Sequence, residues 1–196
     1  MSEKLEYLQQ EIEHKAIYRN KPGIYIPGKA PNKRYSWQFY LRRVMYDPRF
    51  VLTAAELMID KLDLDNVQLG ACEDAGVPMA CAISMLTGIP VLSIKKSRKA
   101  YGLLNFTEGP ITGKPVLLVD DLAGSQNTLR QAEKLLTAFK IPIAKQYATL
   151  INKTQGTHPT YLDRELVSLF TCEDFAMNWE DYKTKYNKEP EFGFYC

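Results

Sequence analysis

The chain has 196 residues, 45% hydrophobic and 24% charged, which excludes a disordered, collagen-like or coiled-coil chain and predicts one full domain. Lys and Arg number 25 and Asp and Glu 23, so the net charge of +2 gives no general pull toward nucleic acid or an anionic membrane. No run approaches the ~18 consecutive apolar residues of a spanning helix, and the opening Met-Ser-Glu-Lys-Leu-Glu lacks the apolar stretch of a signal peptide, so a cytoplasmic location is expected.

Residues 3–18 are predicted as a helix, with Leu5, Leu8 and Ile12 on one face. Lys21-Pro22-Gly23 breaks it. Strand-like runs at Gly23–Ile26 and Ser36–Leu41 flank the turn-rich loop Pro27–Asn32. Asp47-Pro48 marks a helix start, Asp as the cap and Pro at the first position; Val51, Ala55, Met58 and Leu62 mark one face of that helix. From Asn66 the pattern becomes regular. Val67–Cys72 is a strand, and Val77–Leu86 a helix with Met79, Ile83 and Leu86 on one side and Gly88 as its stop. Pro90–Ile94 and the nearly all-apolar Pro115–Val119 are strands, the second expected to be covered on both faces. Gln126–Phe139 is a helix with Leu129, Ala132, Leu136 and Phe139 in register; Gln146–Ile151 and Leu166–Thr171 are strands. Two strand–helix–strand units predict an α/β fold, a Rossmann-like parallel sheet with helices on its faces.

The cysteines, Cys72, Cys81, Cys172 and Cys196, form no CxxC pair, and the two histidines, His14 and His158, are too few to complete a zinc site. They read as free thiols of a reducing compartment.

Parallel sheets bind ligands at the carboxyl ends of their strands. The segments to interrogate are therefore Cys72–Gly76, Lys95–Gly109, Asp120–Thr128 and Asn152–Gly156. In Val116–Leu129 an apolar strand brings Asp120 and Asp121 to the sheet edge. A small-residue loop then runs straight into a helix. Backbone N–H groups of such a loop and the positive end of the helix make an anion site, and carboxylates beside it suit the hydroxyls of a sugar phosphate. The same residues also read as an acidic turn that caps a helix. No Gly-Lys-Ser/Thr follows the strand, so this is not a Walker loop.

The segment Val116–Leu129 resembles the phosphoribosyl-pyrophosphate (PRPP) motif of the type I phosphoribosyltransferases. Residues 20 to 175 are similar in layout to the orotate phosphoribosyltransferases. Ala71–Ala80 resembles that family's pyrophosphate loop and helix start, Ile94–Gly102 its catalytic loop, Asn105–Gly109 the return from it, and Leu166–Phe175 its C-terminal strand. The resemblance implies transfer of 5-phosphoribosyl from PRPP to a nucleobase, most closely orotate, with release of pyrophosphate. It implies Asp120 and Asp121 on the ribose hydroxyls, directly or through Mg²⁺, and Lys99 as the catalytic lysine. Gly124, Ser125, Gln126, Asn127 and Thr128 would hold the 5′-phosphate. Glu73, Asp74, Ala75 and Gly76, with Lys95 and Lys96, would hold pyrophosphate. Arg34, Trp37 and Lys153 would meet the base. It further implies a homodimer whose Lys95–Gly109 loop is shared between subunits, with residues 1–46 as an N-terminal helix and base-covering hood, 47–175 as the core and 176–196 as a tail. Neither membrane nor nucleic acid is an expected partner.

The chain departs from the family's pattern at four places. Tyr101 stands where His is usual, Lys153 near the place of an Arg, Gly124 where Thr or Ser is usual, and Gln126 where Gly is usual. These departures leave two other readings open. One is a phosphoribosyltransferase for another pyrimidine or a purine. The other is a PRPP- or nucleotide-sensing regulator on the same fold.

Overall fold

The computed structural model describes residues 2–19, 26–27, 34–35, 37–95, 105–124, 127–153, 160–161 and 164–177. Helix α1 (Glu3–Lys15) starts at Ser2, whose side chain accepts from the Leu5 N–H, and buries Leu8 and Ile12. It ends earlier than the pattern predicts, because Ile17–Arg19 forms a strand, β1. Three short strands follow: β2 (Ile26–Pro27), β3 (Arg34–Tyr35) and β4 (Trp37–Phe39). β1 pairs antiparallel with β4, and β2 with β3. The expected strand at Gly23–Ile26 is described only from Ile26.

After the single turn α2 (Arg42–Met45) comes α3 (Pro48–Ile59). Its start is as predicted: the Asp47 carboxylate accepts from the N–H groups of Arg49 at 2.9 Å and Phe50 at 3.2 Å. The regular part of the chain then runs β5 (Gln68–Cys72), α4 (Val77–Thr87), β6 (Val91–Ile94), β7 (Thr107–Glu108), β8 (Val116–Ala123), α5 (Asn127–Ala138), β9 (Ile143–Asn152), β10 (Thr160–Tyr161) and β11 (Arg164–Thr171). A 3-10 turn, Glu173–Phe175, closes the described part. Gly88 ends α4 in the left-handed conformation, φ 74°, which glycine adopts without cost to a side chain.

Seven strands form one sheet in the order β10-β11-β9-β8-β5-β6-β7. The five central strands are parallel, and β7 and β10 are antiparallel edges. This is the α/β architecture that the strand–helix–strand pattern predicts. Alternation along β8 divides the core. Leu117 and Val119 join one apolar cluster with Phe50 and Met58 of α3 and Met79 and Ile83 of α4, whereas Val116 and Leu118 join another with Leu129 and Leu136 of α5. The N-terminal segment shares the first cluster. Trp37 and Phe39 meet edge to face with centroids 5.5 Å apart, and Phe39 meets Phe175 the same way at 5.4 Å.

Two members of the apolar helix faces read from the sequence are exposed. Leu86 is 46% exposed and Phe139 55%. Leu86 lies in the last turn of α4, past its buried residues Met79, Ala80, Ala82 and Ile83. Phe139 follows the end of α5, where Leu136 and Ile141 take the buried places. Strand β8 is also longer than expected. Pairing with β9 carries it through Asp120, Asp121 and Leu122 to Ala123, so both acids lie within the strand rather than in the loop after it.

Candidate active site

The strand order locates the crevice. From β5 the chain moves outward to β6; it then returns to pair β8 on the other side of β5. The direction of winding reverses between β5 and β8, and in open parallel sheets that is where the strand ends part to admit a ligand. The segments that leave these two ends are Cys72–Gly76 and Asp120–Thr128.

The first is a tight turn between β5 and α4. The Glu73 N–H donates to the Ile94 carbonyl and the Gly76 N–H to the Cys72 carbonyl, both at 3.0 Å. The Glu73–Asp74 peptide is cis. Each acid has a donor from another element: Ser93 Oγ donates to Glu73 Oε1 at 2.8 Å, and Arg42 Nη2 to Asp74 Oδ2 at 3.2 Å. Ala75 is buried. Gly76 is where the turn meets the neighbouring strand. A Cβ there would collide with the Val119 carbonyl, 2.9 Å from the Cys72 carbonyl and 3.0 Å from Asp120 Cα. Only glycine lets the two segments close on each other.

The second segment begins inside β8. Asp120 stands opposite Thr149 of β9, is 5% exposed, and accepts from the Asp121 N–H at 2.9 Å through its own Oδ1. Asp121 is half-buried. The two acids are thus unlike: Asp120 is buried in the sheet, and Asp121 is partly open to solvent. Gly124 follows, where a Cβ would meet only Lys153 Cδ at 3.9 Å. Ser125 and Gln126 lie outside the described residues. Asn127 and Thr128 occupy the first turn of α5, exposed and half-buried. The positive end of a 12-residue helix therefore follows the acids within a few residues.

Of the remaining residues singled out in the sequence, the structure describes only some. Lys95 is buried and its Nζ forms an ion pair with Glu108 of β7. Lys96, Lys99 and Tyr101 lie outside the described residues. Lys153 leaves β9 beside Gly124, with its N–H donating to the Ala123 carbonyl at 2.7 Å. Its amine lies 4.6 Å from the centre of the Trp37 ring. Burial brings the Lys153 amine down to about 8, and the neighbouring Cys172 pulls the other way. Burial pushes the Cys172 thiol up to about 11. Trp37 is itself a core side chain, 4% exposed. Of Arg34 only the backbone is described, paired with Pro27 across β2 and β3. Ser93 and Arg42 were not singled out in the sequence. Ser93 has a weak signal, since it sits at the end of a strand just before the basic run; Arg42 has none.

No family model matches the sequence. It is 32% identical over 114 residues to an orotate phosphoribosyltransferase of Nocardioides sp., covering 58% of this chain and 64% of that protein. It is 30% identical over 139 residues to one of Caenorhabditis elegans, covering 68% of this chain and 61% of that protein. The chain thus spans a little under two thirds of the length of these relatives. Among solved structures, a phosphoribosyltransferase of Corynebacterium diphtheriae superposes with a TM-score of 0.74 at 21% identity, over 90% of this chain and 100% of that one. The orotate phosphoribosyltransferase of Mycobacterium tuberculosis in complex with PRPP superposes with a TM-score of 0.67 at 19% identity, over 89% and 93%. The chain has the type I phosphoribosyltransferase fold, and in sequence it is similar to the orotate phosphoribosyltransferases.

Proposed function

We propose that the chain is a phosphoribosyltransferase that moves 5-phosphoribosyl from PRPP to orotate and releases pyrophosphate. The observation that carries this reading is the closure of the 73–76 turn on β8 at Gly76. It brings the turn against the strand that carries Asp120 and Asp121, which supports a pyrophosphate site beside a ribose site. Displacement at the anomeric carbon passes through a cation-like ribose and a leaving group with several negative charges. The half-open Asp121 accepts from the ribose hydroxyls and its charge favours the cationic ring. The buried Asp120 fixes the strand from which Asp121 projects. Gly124 to Thr128 receive the 5′-phosphate at the start of α5. The Asp74 and Ala75 N–H groups receive pyrophosphate. Lys96 and Lys99 neutralise the leaving group from the loop between Lys95 and Gly109, which a second subunit shares. Lys153, with Arg34 by resemblance, would serve the acceptor, where a cation matches the carboxylate of orotate.

Mg²⁺ fits this set. It takes one or two carboxylates and fills its octahedron with waters and substrate oxygens. Asp121, with one partly exposed carboxylate beside Asp120, meets that requirement. The ion would supply positive charge against the pyrophosphate leaving group.

Pyrophosphate release with PRPP, Mg²⁺ and orotate, then with uracil, hypoxanthine and adenine, tests the reading. Turnover confined to orotate supports it, and turnover on another base alone moves the acceptor. A regulator that binds PRPP without turnover is the second reading. It is favoured by the burial of Asp120 and by the pairing of Lys95 with Glu108. PRPP binding with no pyrophosphate release on any base would establish it.

A further inference from the structure

The 73–76 turn presents a contradiction of charge. A turn that receives a polyanion carries two adjacent carboxylates, Glu73 and Asp74. Glu73 is turned toward β6, where Ser93 donates to it. Asp74 projects outward, its side chain 65% exposed, and its partner is Arg42, whose side chain is 43% exposed. Arg42 comes from α2, which is anchored by the buried Val44 and Met45. The guanidinium is therefore delivered to the turn from a fixed base rather than from a free loop. An ion pair this exposed adds little to stability. Its effect is on the local field, because an uncancelled carboxylate a few ångströms from a bound polyanion repels it within the screening length of the solvent.

Resting on the transferase reading above, we propose that Arg42 is a positioning residue of the pyrophosphate site, which makes the turn fit to receive an anion by cancelling the charge of Asp74. No part of Arg42 need touch the ligand. Its removal exposes Asp74 to pyrophosphate, and removal of both charges restores the site. This double compensation separates an electrostatic role from a merely structural one.

The test is calorimetric titration of the full chain with inorganic pyrophosphate and Mg²⁺, for the wild type, Arg42→Ala, Arg42→Lys, Asp74→Asn and the double variant Arg42→Ala/Asp74→Asn. Melting curves confirm that each variant is folded. Arg42→Ala is expected to weaken binding by about tenfold at low salt and by less as salt rises. Arg42→Lys, which keeps the charge, and the double variant are expected within about twofold of the wild type. Arg42→Ala binding as tightly as the wild type overturns the proposal. So does a double variant no better than Arg42→Ala, since the arginine would then act other than through Asp74. A wild type that binds no pyrophosphate overturns the transferase reading, and this proposal falls with it.

Discussion

At the scale of single residues, two glycines on either side of the crevice have opposite tolerances. Gly76 has no room for a Cβ, which would meet the Val119 carbonyl and the backbone of Asp120. Gly76→Ala is expected to cost about 1–3 kcal/mol by overpacking, read as a lower unfolding midpoint, and to weaken PRPP binding with it. Gly124 has room, with only Lys153 Cδ at 3.9 Å. Gly124→Ser is expected to leave stability within about 0.5 kcal/mol and, by adding a donor to the phosphate loop, to lower the KM for PRPP. A Gly124→Ser variant that unfolds, or whose KM rises, contradicts the placement of the 5′-phosphate. Lys153 gives a pH signature. Burial holds its amine at about 8, against 10.5 for an ordinary lysine. Above pH 8 the unfolded chain keeps a proton that the folded chain has lost, so stability rises with pH in that range. Above about 9 the buried Cys172, held up to about 11 against an ordinary 9.0, stays protonated while the unfolded thiol ionises, and stability is drawn the other way. Urea midpoints between pH 7.5 and 9 should therefore climb in the wild type, whereas in Lys153→Met they should stay level and then fall slightly as the unfolded Cys172 thiol ionises. A climb that survives the substitution assigns it to another group.

At the scale of elements, the sequence announces what is long or chemically marked. The Asp47 cap and Pro48 gave the start of α3 to the residue, and Gly88 the end of α4, because each is a local hydrogen-bond or backbone requirement. Asp47→Ala removes the acceptor for two N–H groups and should cost about 0.5–2 kcal/mol, visible as a lower thermal midpoint without change in the folded spectrum. No fall in the midpoint would mean that solvent satisfies the helix end equally well. The strands β1, β7 and β10 and the turn α2 were not legible. Each has four residues or fewer, too short for a periodic signal, and exists because a partner strand or the core holds it. The extension of β8 over two aspartates was hidden for a related reason. Strand propensity disfavours Asp, and the ladder to Thr149 and Ile151 of β9 overrides it. The buried Gln68 is similar. It reads as an unremarked polar residue, yet it accepts from the Thr112 N–H and hydroxyl and so ties the loop before β8 to the start of β5.

At the scale of the whole molecule, topology makes the site. Residues 72–76 and 120–128 are about fifty positions apart in the chain. They meet because the sheet reverses its winding between β5 and β8. The sequence names both segments as strand ends, but not that they touch; that contact depends on strand order and on the missing side chain of Gly76. The core is continuous from α1 through Trp37 and Phe39 to Phe175, so the N-terminal segment is tied to the same body that carries the acids. The most direct measurement is pyrophosphate release from PRPP with Mg²⁺ and orotate by the wild type and Asp121→Asn, each checked for folding. The wild type should turn over, and Asp121→Asn should be slower by orders of magnitude at an unchanged melting temperature. Equal rates for the two proteins would contradict the assignment of the ribose to the end of β8.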